Sequence, residues 1–253
     1  MKLHRCVAVP SVVLIVAAIA GCAGMPGMSS HPTPNYGAIV AAPDRTDADR
    51  SNDARRKPEQ MIAFAGVRPG MNVLDLGAGG GYSTELLARA VGPQGRVYAQ
   101  DSRLTTQGQG NARFIERMKS PAMKNVARVL REFDDPVPPE ARDLDLVTFF
   151  YIYHDTPAWD VDRAKMNRSV FNALRPGGIY LIADHAAKSG VGVSASKSLH
   201  RIEESVLRRE VEAAGFRFAA EADFLRNPAD PREERVFGLK IPVDNFVLKF
   251  VKP

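Results

Sequence analysis

The segment Val73-Leu74-Asp75-Leu76-Gly77-Ala78-Gly79-Gly80-Gly81 decides the fold of this chain of 253 residues. Apolar residues with the character of a buried strand run directly into a glycine-rich loop, and residues 83–91 then show the apolar spacing of a helix. A glycine loop in this context lets the backbone approach a ligand, and it aims the amides of the helix N-terminus at that ligand. The segment therefore predicts a ligand site at the carboxyl end of a buried strand.

The rest of the sequence alternates between strand and helix patterns. Strands are predicted at 96–99, 126–131, 144–150, 179–183, 216–225 and 246–251, and helices at 58–67, 112–118, 161–174 and 204–214. Such alternation predicts an α/β fold built on a mainly parallel, doubly wound sheet. In such folds the ligands bind beyond the carboxyl ends of the strands.

Asp101 stands at the end of the second predicted strand. A carboxylate at this position can accept two hydrogen bonds from a ribose diol. The glycines are spaced G-x-G-x-G, and Tyr82 occupies the place where the dinucleotide pattern G-x-G-x-x-G needs a small residue for helix packing. The pattern therefore disfavours a nicotinamide cofactor.

The segment 73–81 resembles the first motif of class I S-adenosylmethionine-dependent methyltransferases. Arg175-Pro176-Gly177-Gly178 is similar to the turn before their fifth strand, Asp145-Leu146-Val147 is similar to their fourth strand, and the resemblance extends from Pro58 to the C-terminus. It implies a Rossmann-like, seven-stranded, mainly parallel sheet with an antiparallel last strand. It also implies S-adenosyl-L-methionine as the cofactor and a small-molecule methyl acceptor.

The resemblance implies a set of residues that contact the cofactor: Asp75, Gly77, Ala78, Gly79, Gly81, Asp101, Phe133 and Asp134. In this set the glycines lie against the methionine end and Asp101 holds the ribose, while Phe133 and Asp134 are the candidates for the adenine. Shorter segments resemble an uncharacterised group of exported, predicted methyltransferases: Arg56-Lys57-Pro58, Tyr153-His154-Asp155, Asp184-His185 and His200-Arg201-Ile202.

Three of the five histidines follow strand ends or the loop beyond them: His154, His185 and His200, with Asp184 beside them. We expect these four side chains to converge in one cleft facing the transferred methyl group. A histidine acting as a general base would have to be neutral, so methylation would rise with pH through an apparent pKa of about 6 to 7. The same residues could instead bind a divalent metal. The absence of a tight H-x-x-x-H spacing favours the base, and no metal is predicted.

Residues 44–57 are rich in charges of both signs, often three or four positions apart. This spacing predicts a helix. The helix either lies on the surface with pairs of its own, or folds over a ligand at the mouth of the sheet.

The formal net charge of +5 is too small to predict nucleic-acid binding, and the basic residues are interleaved with acids. A solvent-exposed charged surface explains this pattern better. We therefore expect no nucleic-acid partner.

The first 21 residues are typical of a lipoprotein signal peptide. Lys2 and Arg5 precede an apolar run shorter than the roughly 20 residues that span a bilayer, and Ile19-Ala20-Gly21-Cys22 resembles a lipobox. We expect a signal peptide at 1–21, lipid on Cys22, a flexible tether at 22–43 rich in Pro, Gly and Ser, and a methyltransferase domain at 44–253. Since Ala23 and not Asp follows Cys22, the expected location is the cell envelope, at the periplasmic side of an outer membrane where the host has one.

The exported location leaves an alternative open, because S-adenosylmethionine is made in the cytosol. On that alternative the chain is a non-catalytic envelope lipoprotein that binds a nucleoside or a metal on the same fold. Both cysteines, Cys6 and Cys22, lie in or next to the leader, which removes a cysteine nucleophile and a cysteine-ligated zinc from the catalytic repertoire.

Replacing Cys22 tests the lipobox. Cys22→Ser should abolish incorporation of a fatty-acid analogue and processing by the lipoprotein peptidase, because serine offers no thiol for acylation. Metabolic labelling of wild type and variant is the measurement. Equal labelling of both, or labelling of neither, would contradict the assignment.

Overall fold

The computed structural model describes residues 33–106 and 108–253. The predicted signal peptide and the acylation site Cys22 lie outside the described residues. Eight α-helices are described there: α1 Tyr36–Val40, α2 Asp47–Arg56, α3 Pro58–Ala65, α4 Tyr82–Val91, α5 Gln109–Arg117, α6 Arg163–Ala173, α7 Ser196–Leu199 and α8 Glu204–Ala213. The seven described strands are β1 Asn72–Leu76, β2 Arg96–Asp101, β3 Val126–Leu130, β4 Leu144–Phe150, β5 Leu174–His185, β6 Arg217–Ala222 and β7 Asn245–Val251. Short 3₁₀ turns lie at Pro121–Met123 and Tyr153–Asp155.

The strands form one sheet in the order β3-β2-β1-β4-β5-β7-β6. The pairs β1–β2, β1–β4, β2–β3 and β4–β5 are parallel, and β7 is antiparallel to both of its neighbours. The predicted Rossmann-like, seven-stranded sheet with an antiparallel last strand is thereby confirmed. The strand order reverses on either side of β1 and β4, so the crevice expected for a ligand opens beyond the carboxyl ends of these two strands.

The sheet is covered on both faces, which explains the near-continuous apolar character of β1 and β4. On one face Met61 of α3 and Leu87 of α4 pack with Val73, and all three are at most 5% exposed. On the other face Val170 of α6 and Leu207 of α8 pack in the cluster that contains Leu74. Because successive strand residues point to opposite faces, Val73 and Leu74 belong to different cores.

The ordered domain begins earlier than residue 44. Residues 36–40 of the predicted tether form α1, which Asn35 caps by accepting a hydrogen bond from the amide of Ala38. The Tyr36 hydroxyl donates to the carbonyl of Val67 at 2.7 Å, and Tyr36 packs against the core cluster of α3 and α4. This long-range bond outweighs the local Pro- and Gly-rich composition that predicted a tether.

Residues 47–56 form the predicted helix, α2, which lies next to the glycine loop. Its charges pair mainly with other elements. Asp49 accepts two hydrogen bonds from Arg117 of α5 at 2.8 Å, and Asp53 accepts two from Arg45 and one from Tyr82. Since Arg45 and Asp49 are 5% and 4% exposed, these pairs fix α2 far better than surface pairs would.

Strand β6 is shorter than predicted and ends at Ala222. The amide of Arg226 donates to the carbonyl of Asp223 at 2.8 Å, so a turn interrupts the strand where the apolar pattern continues through Phe224 and Leu225. Within the described residues, no helix is long and apolar enough to cross a membrane.

Candidate active site

The glycine loop between β1 and α4 is shaped by residues in the left-handed region. Gly77, Gly79 and Gly81 have φ angles of 63°, 56° and 80°. A Cβ atom on Gly77 would lie 2.9 Å from Cγ1 of Ile152, and one on Gly81 would lie 2.9 Å from Cδ of Arg117, so both positions require glycine for conformation and for space. Around Gly79 only a backbone oxygen 3.8 Å away would be met, so the loop is open on that side.

Asp101 is tied to the same loop. Its Oδ1 accepts hydrogen bonds from the amide of Gly79 at 3.1 Å and from the hydroxyl of Thr105 at 3.0 Å. Its Oδ2 makes no hydrogen bond to any described residue. Burial raises the pKa of Asp101, and the Gly79 amide and Thr105 hydroxyl oppose that shift.

The glycine loop and the Asp101 carboxylate have the space and the hydrogen-bond acceptor that S-adenosylmethionine would need. The space beside Gly79 is one that a Cβ could enter, and a carboxylate oxygen with a free lone pair stands next to it. Gly77, Ala78, Gly79, Gly81 and Asp101 would therefore hold the cofactor, which carries an electrophilic methyl group. The amides of Gly77 and Ala78 are already bonded to Gln100, through its side-chain Oε1 and its carbonyl, so they shape the loop.

Asp75 was expected to contact the cofactor, but in the structure its carboxyl is buried and bonded to other protein side chains. Its carboxylate is 2% exposed and accepts hydrogen bonds from Thr84 of α4 at 2.6 Å and from Thr148 of β4 at 2.7 Å. Burial raises the pKa of Asp75 to about 6, against the effect of the two hydroxyls. Asp75 thus braces three elements around the glycine loop and offers no open face.

Phe133 and Asp134, the adenine candidates, are placed unfavourably for that role. The ring of Phe133 is 1% exposed and packs between Trp159 at 5.7 Å and Phe149 at 5.8 Å, and it leaves no free face for a nucleobase. Asp134 lies 3.2 Å from Lys165. The apolar side chains exposed near the ends of β2 and β3 are instead Leu104 and Leu130, at 48% and 58%. The alignment with the family motif after β3 is uncertain by one residue, so the sequence alone does not identify these exposed side chains.

The four candidate residues His154, Asp184, His185 and His200 lie together beyond β4 and β5. The ring centroid of His154 is 5.1 Å from that of His185 and 5.6 Å from that of His200. Asp184 is fully buried and accepts hydrogen bonds from the His154 amide at 2.7 Å, from His154 Nδ1 at 2.6 Å and from the His185 amide at 2.8 Å. One carboxylate therefore joins the end of β4 to the end of β5.

His154 is held as an imidazolium. Burial opposes its charge, yet the Asp184 carboxylate and the neighbouring Asp155 raise the pKa of His154 to about 10. Its Nε2 lies 3.2 Å from Asp155 Oδ1, but at an angle outside hydrogen-bond geometry. Although burial would raise it, His154 holds the pKa of Asp184 below its usual value. A protonated His154 cannot accept a proton at neutral pH.

His185 has the opposite state. Burial lowers the pKa of His185 to about 4, although Asp184 opposes the shift. Its Nδ1 faces Asn245 Oδ1 at 2.5 Å, and the amide nitrogen of Asn245 is committed to the carbonyl of Val243. Nδ1 therefore carries the hydrogen and Nε2 carries the lone pair. This value lies below the apparent pKa of about 6 to 7 expected from the sequence for the methylation reaction, whose pH dependence stays a prediction.

His200 completes the cluster with a fixed orientation. Its Nδ1 donates to Asp155 at 2.8 Å, and its Nε2 accepts from Arg235 at 3.0 Å. Two trios of side chains have atoms within 4.8 Å of one another, as a metal would require: His154, Asp155 and His200, and His154, Asp184 and His185. In the first trio Arg235 can only donate to His200, so Nδ1 carries a hydrogen. In the second, His154 and Asp184 satisfy each other. Hydrogen bonds therefore account for the arrangement of both trios.

The sequence offers Tyr151 as a candidate wall of an acceptor pocket, and sequence reasoning missed two other residues of this site, Asn245 and Arg117. Tyr151 follows β4 with φ of 61°, a conformation unusual for an aromatic residue, and its ring centroid lies 5.2 Å from that of His185. Asn245 has no sequence signal, because it reaches His185 only through the β5–β7 pairing. Arg117 anchors the glycine loop by donating to the carbonyl of Gly80, and only the fold reveals this contact.

The chain is similar in sequence to known methyltransferases. A family model described as a methyltransferase domain matches residues 68–212, more than half of the chain. The chain is 28% identical over 163 residues to a catechol O-methyltransferase of Mycobacterium tuberculosis, a match covering 60% of this chain and 71% of that enzyme. It is 31% identical over 124 residues to a ubiquinone/menaquinone biosynthesis C-methyltransferase of Vibrio campbellii, covering 49% of this chain and 44% of that enzyme. The chain thus spans less than half the length of the latter.

The fold is shared with solved structures. A SAM-dependent methyltransferase from Aquifex aeolicus superposes with a TM-score of 0.59 at 18% identity, covering 87% of this chain and all of that one. Sheet topology, glycine loop and the acid after β2 define an S-adenosylmethionine-dependent methyltransferase. The chain belongs to the methyltransferase-domain family, and S-adenosylmethionine is its cofactor. The non-catalytic alternative receives no support from these matches.

Asp75→Asn tests the structural role of the buried carboxyl. The folded-state pKa of about 6 lies above the unfolded value of 3.8, so the favourable contribution of Asp75 is complete below about pH 4 and is lost as pH rises through about 6. The loss is on the order of 3 kcal/mol. Asparagine removes this dependence and still bonds both threonines. The free energy of unfolding of the variant, minus that of wild type, should therefore increase between pH 4.5 and 7.

Urea denaturation across this pH range is the measurement. Asp160→Asn, at an exposed turn position, is the control and should give a flat difference. A flat difference for Asp75→Asn as well would show that Asp75 ionises normally in the fold.

Proposed function

We propose that this protein transfers the methyl group of S-adenosylmethionine to a proton-bearing atom, such as a hydroxyl oxygen, of a small-molecule acceptor bound beyond β4 and β5. His185 is the general base. The observation that carries this assignment is a buried histidine whose Nδ1 is bonded to Asn245 Oδ1, so that its Nε2 carries the lone pair. Burial lowers the pKa of His185 and keeps the ring neutral at pH 7. Two contacts link His185 to the glycine loop. Ile152 packs on Gly77, and the adjacent Tyr151 packs on His185.

Methyl transfer from a sulfonium is an in-line displacement in which an enzyme mainly supplies proximity and orientation. In the proposed step the acceptor oxygen forms a bond to the methyl carbon, the sulfur–methyl bond breaks, and the acceptor proton passes to His185 Nε2. S-adenosylhomocysteine leaves as a neutral thioether. The base is required only because a hydroxyl acceptor must lose its proton.

Burial and the charges around His185 together keep its ring neutral at pH 7, the state that a base needs before it can accept a proton. Asp184 lies on its own strand, His154 faces it from the turn after β4, and Arg201 approaches from the loop after α7. The imidazolium of His154 and the guanidinium of Arg201 lower the pKa of His185, and Asp184 raises it. Arg201 is fully buried and paired with Asp230 at 2.8 Å, so its charge is fixed in place.

The acceptor side contains aromatic surface. Tyr151 lies at the strand end, and Phe237 is 65% exposed and lies 4.9 Å from the ring of His200. The relative from M. tuberculosis is named for a catechol, and that name makes catechol a suitable first probe for an aromatic hydroxyl acceptor. We also propose export and lipid anchoring through Cys22, on the lipobox resemblance.

Asp101→Ala tests the cofactor site. Loss of charge-assisted bonds to the ribose diol should weaken S-adenosylmethionine binding by about 1.5 to 3 kcal/mol, about tenfold to a hundredfold. Isothermal titration calorimetry is the measurement. Asp101→Asn preserves an acceptor for the Gly79 amide and guards against loop collapse, and Asp134→Ala should leave affinity unchanged. Unaltered affinity in folded Asp101→Ala would remove Asp101 from the site.

The protonation states of the two histidines can be tested without an acceptor. At pH 7, long-range ¹H–¹⁵N spectra should show His185 neutral with the hydrogen on Nδ1, and His154 protonated on both nitrogens, because their pKa values are about 4 and about 10. His185→Gln assigns the first set of signals, and it should lower transfer to catechol by about a hundredfold or more while cofactor affinity persists. A hydrogen on Nε2 of His185 at pH 7 would contradict the proposed base. Titration of His185 near pH 6.5 would contradict only the lowering of its pKa by burial.

A further inference from the structure

Arg56, the last residue of α2, has a half-buried guanidinium without a polar partner. Its Cζ lies 5.2 Å from the ring centroid of Tyr82 and 4.6 Å from that of Tyr151. It makes no hydrogen bond or ion pair with any described residue. Among the other arginines near this cleft, Arg45, Arg89 and Arg117 are each paired with carboxylates, and Arg113 donates to Gln109.

The position of Arg56 is fixed by the backbone. Lys57, with φ of 45°, ends α2 and also begins α3, whose first residue is Pro58. The pairs Asp49–Arg117 and Asp53–Tyr82 hold α2 against α5 and the first turn of α4. Arg56 is therefore presented by a rigid helix junction.

Arg56 stands where the two halves of the site meet. Tyr82 immediately follows Gly81, and Arg56, Tyr82 and Gly80 line one open cleft. Tyr151 belongs to the acceptor side and packs on His185. The guanidinium carbon lies against both rings, whereas the N–H groups have no acceptor among the described residues. Burial lowers the pKa of Arg56.

We propose that Arg56 anchors a carboxylate-binding subsite at the junction of the glycine loop and the acceptor side. This inference rests on the proposed function, since it uses the same cleft. A guanidinium presents its donors in a planar fork that matches a carboxylate, and flanking aromatic rings keep the fork oriented. The carboxylate has two sources: the methionine end of the cofactor, or an acid group on the acceptor.

Calorimetry with the full-length chain distinguishes the sources. S-adenosylmethionine and its decarboxylated analogue differ only by the carboxyl group, so wild type should bind the former about tenfold to a hundredfold more tightly if the cofactor fills the subsite. Arg56→Met should lose this preference and retain its affinity for the decarboxylated analogue. Arg56→Lys should restore only part of the preference, because an ammonium lacks the fork. Arg55→Met, on the exposed side of α2, is the matched control and should behave as wild type.

The acceptor source is tested in the presence of saturating S-adenosylhomocysteine. Benzoate is the probe, and the readout is the side-chain Nε–H resonance of Arg56, assigned by its loss in Arg56→Met. A saturable shift with benzoate, absent with benzyl alcohol, places the carboxylate on the acceptor. Equal affinities of wild type for the two cofactor forms, together with no benzoate shift, would overturn the proposal.

Binding of 5′-methylthioadenosine separates this failure from failure of the proposed function. This nucleoside lacks the amino-acid group, so it should bind wild type and Arg56→Met equally. If it and S-adenosylmethionine both fail to bind folded wild type, the cofactor site itself is wrong. If 5′-methylthioadenosine and S-adenosylmethionine both bind, but neither the cofactor carboxyl group nor benzoate has an effect, only the proposed role of Arg56 is contradicted.

Discussion

The buried carboxyl of Asp75 is the point on which the geometry of the site depends. It lies in β1, one residue before the strand's end, and it accepts hydroxyl hydrogen bonds from α4 on one side and from β4 on the other. The glycine loop starts two residues later, and the acceptor side begins where β4 ends. A carboxyl with both oxygens bonded can be buried at moderate cost, whereas an unpaired one would be far more expensive. The Asp75 carboxyl therefore adds to the β1–β4 pairing in fixing the cofactor half relative to the acceptor half.

A second carboxylate sets the chemistry of the acceptor half. Asp184 bonds the ring of His154 directly but meets His185 only through the backbone amide. The same negative charge thus keeps His154 protonated and leaves burial to dominate at His185. The two neighbouring histidines have environments that move their pKa values in opposite directions, which matches the proposed roles of His154 as a fixed positive charge and His185 as the proton acceptor. Neither state can be read from the presence of histidines after strands.

The sequence predicts the fold well because strand, glycine loop and helix are local patterns. The bounds of β4 match those observed, and Asp101 reaches the loop because β2 must lie beside β1 in such a sheet. The failures involve information carried by other elements. Tyr36 is ordered by a carbonyl on a distant segment, Phe133 turns into the core because Trp159 and Phe149 meet it, and Arg117 reaches Asp49 across the loop. Charge patterning in α2 gave the helix but not its partners, which are set by tertiary packing.

The pairing of Asn245 with His185 makes the state of one side chain depend on a distant strand. Asn245 begins β7, which inserts between β5 and β6 and lies 60 residues after His185 in the chain. Without β7 in the sheet, the tautomer of His185 is not fixed, and either ring nitrogen can carry the hydrogen. A molecule in which β7 is displaced from the sheet would therefore keep its cofactor loop and its histidines but lose the fixed tautomer of His185. In the proposed reaction, a defined proton acceptor thus depends on a strand outside the segments that supply the histidines.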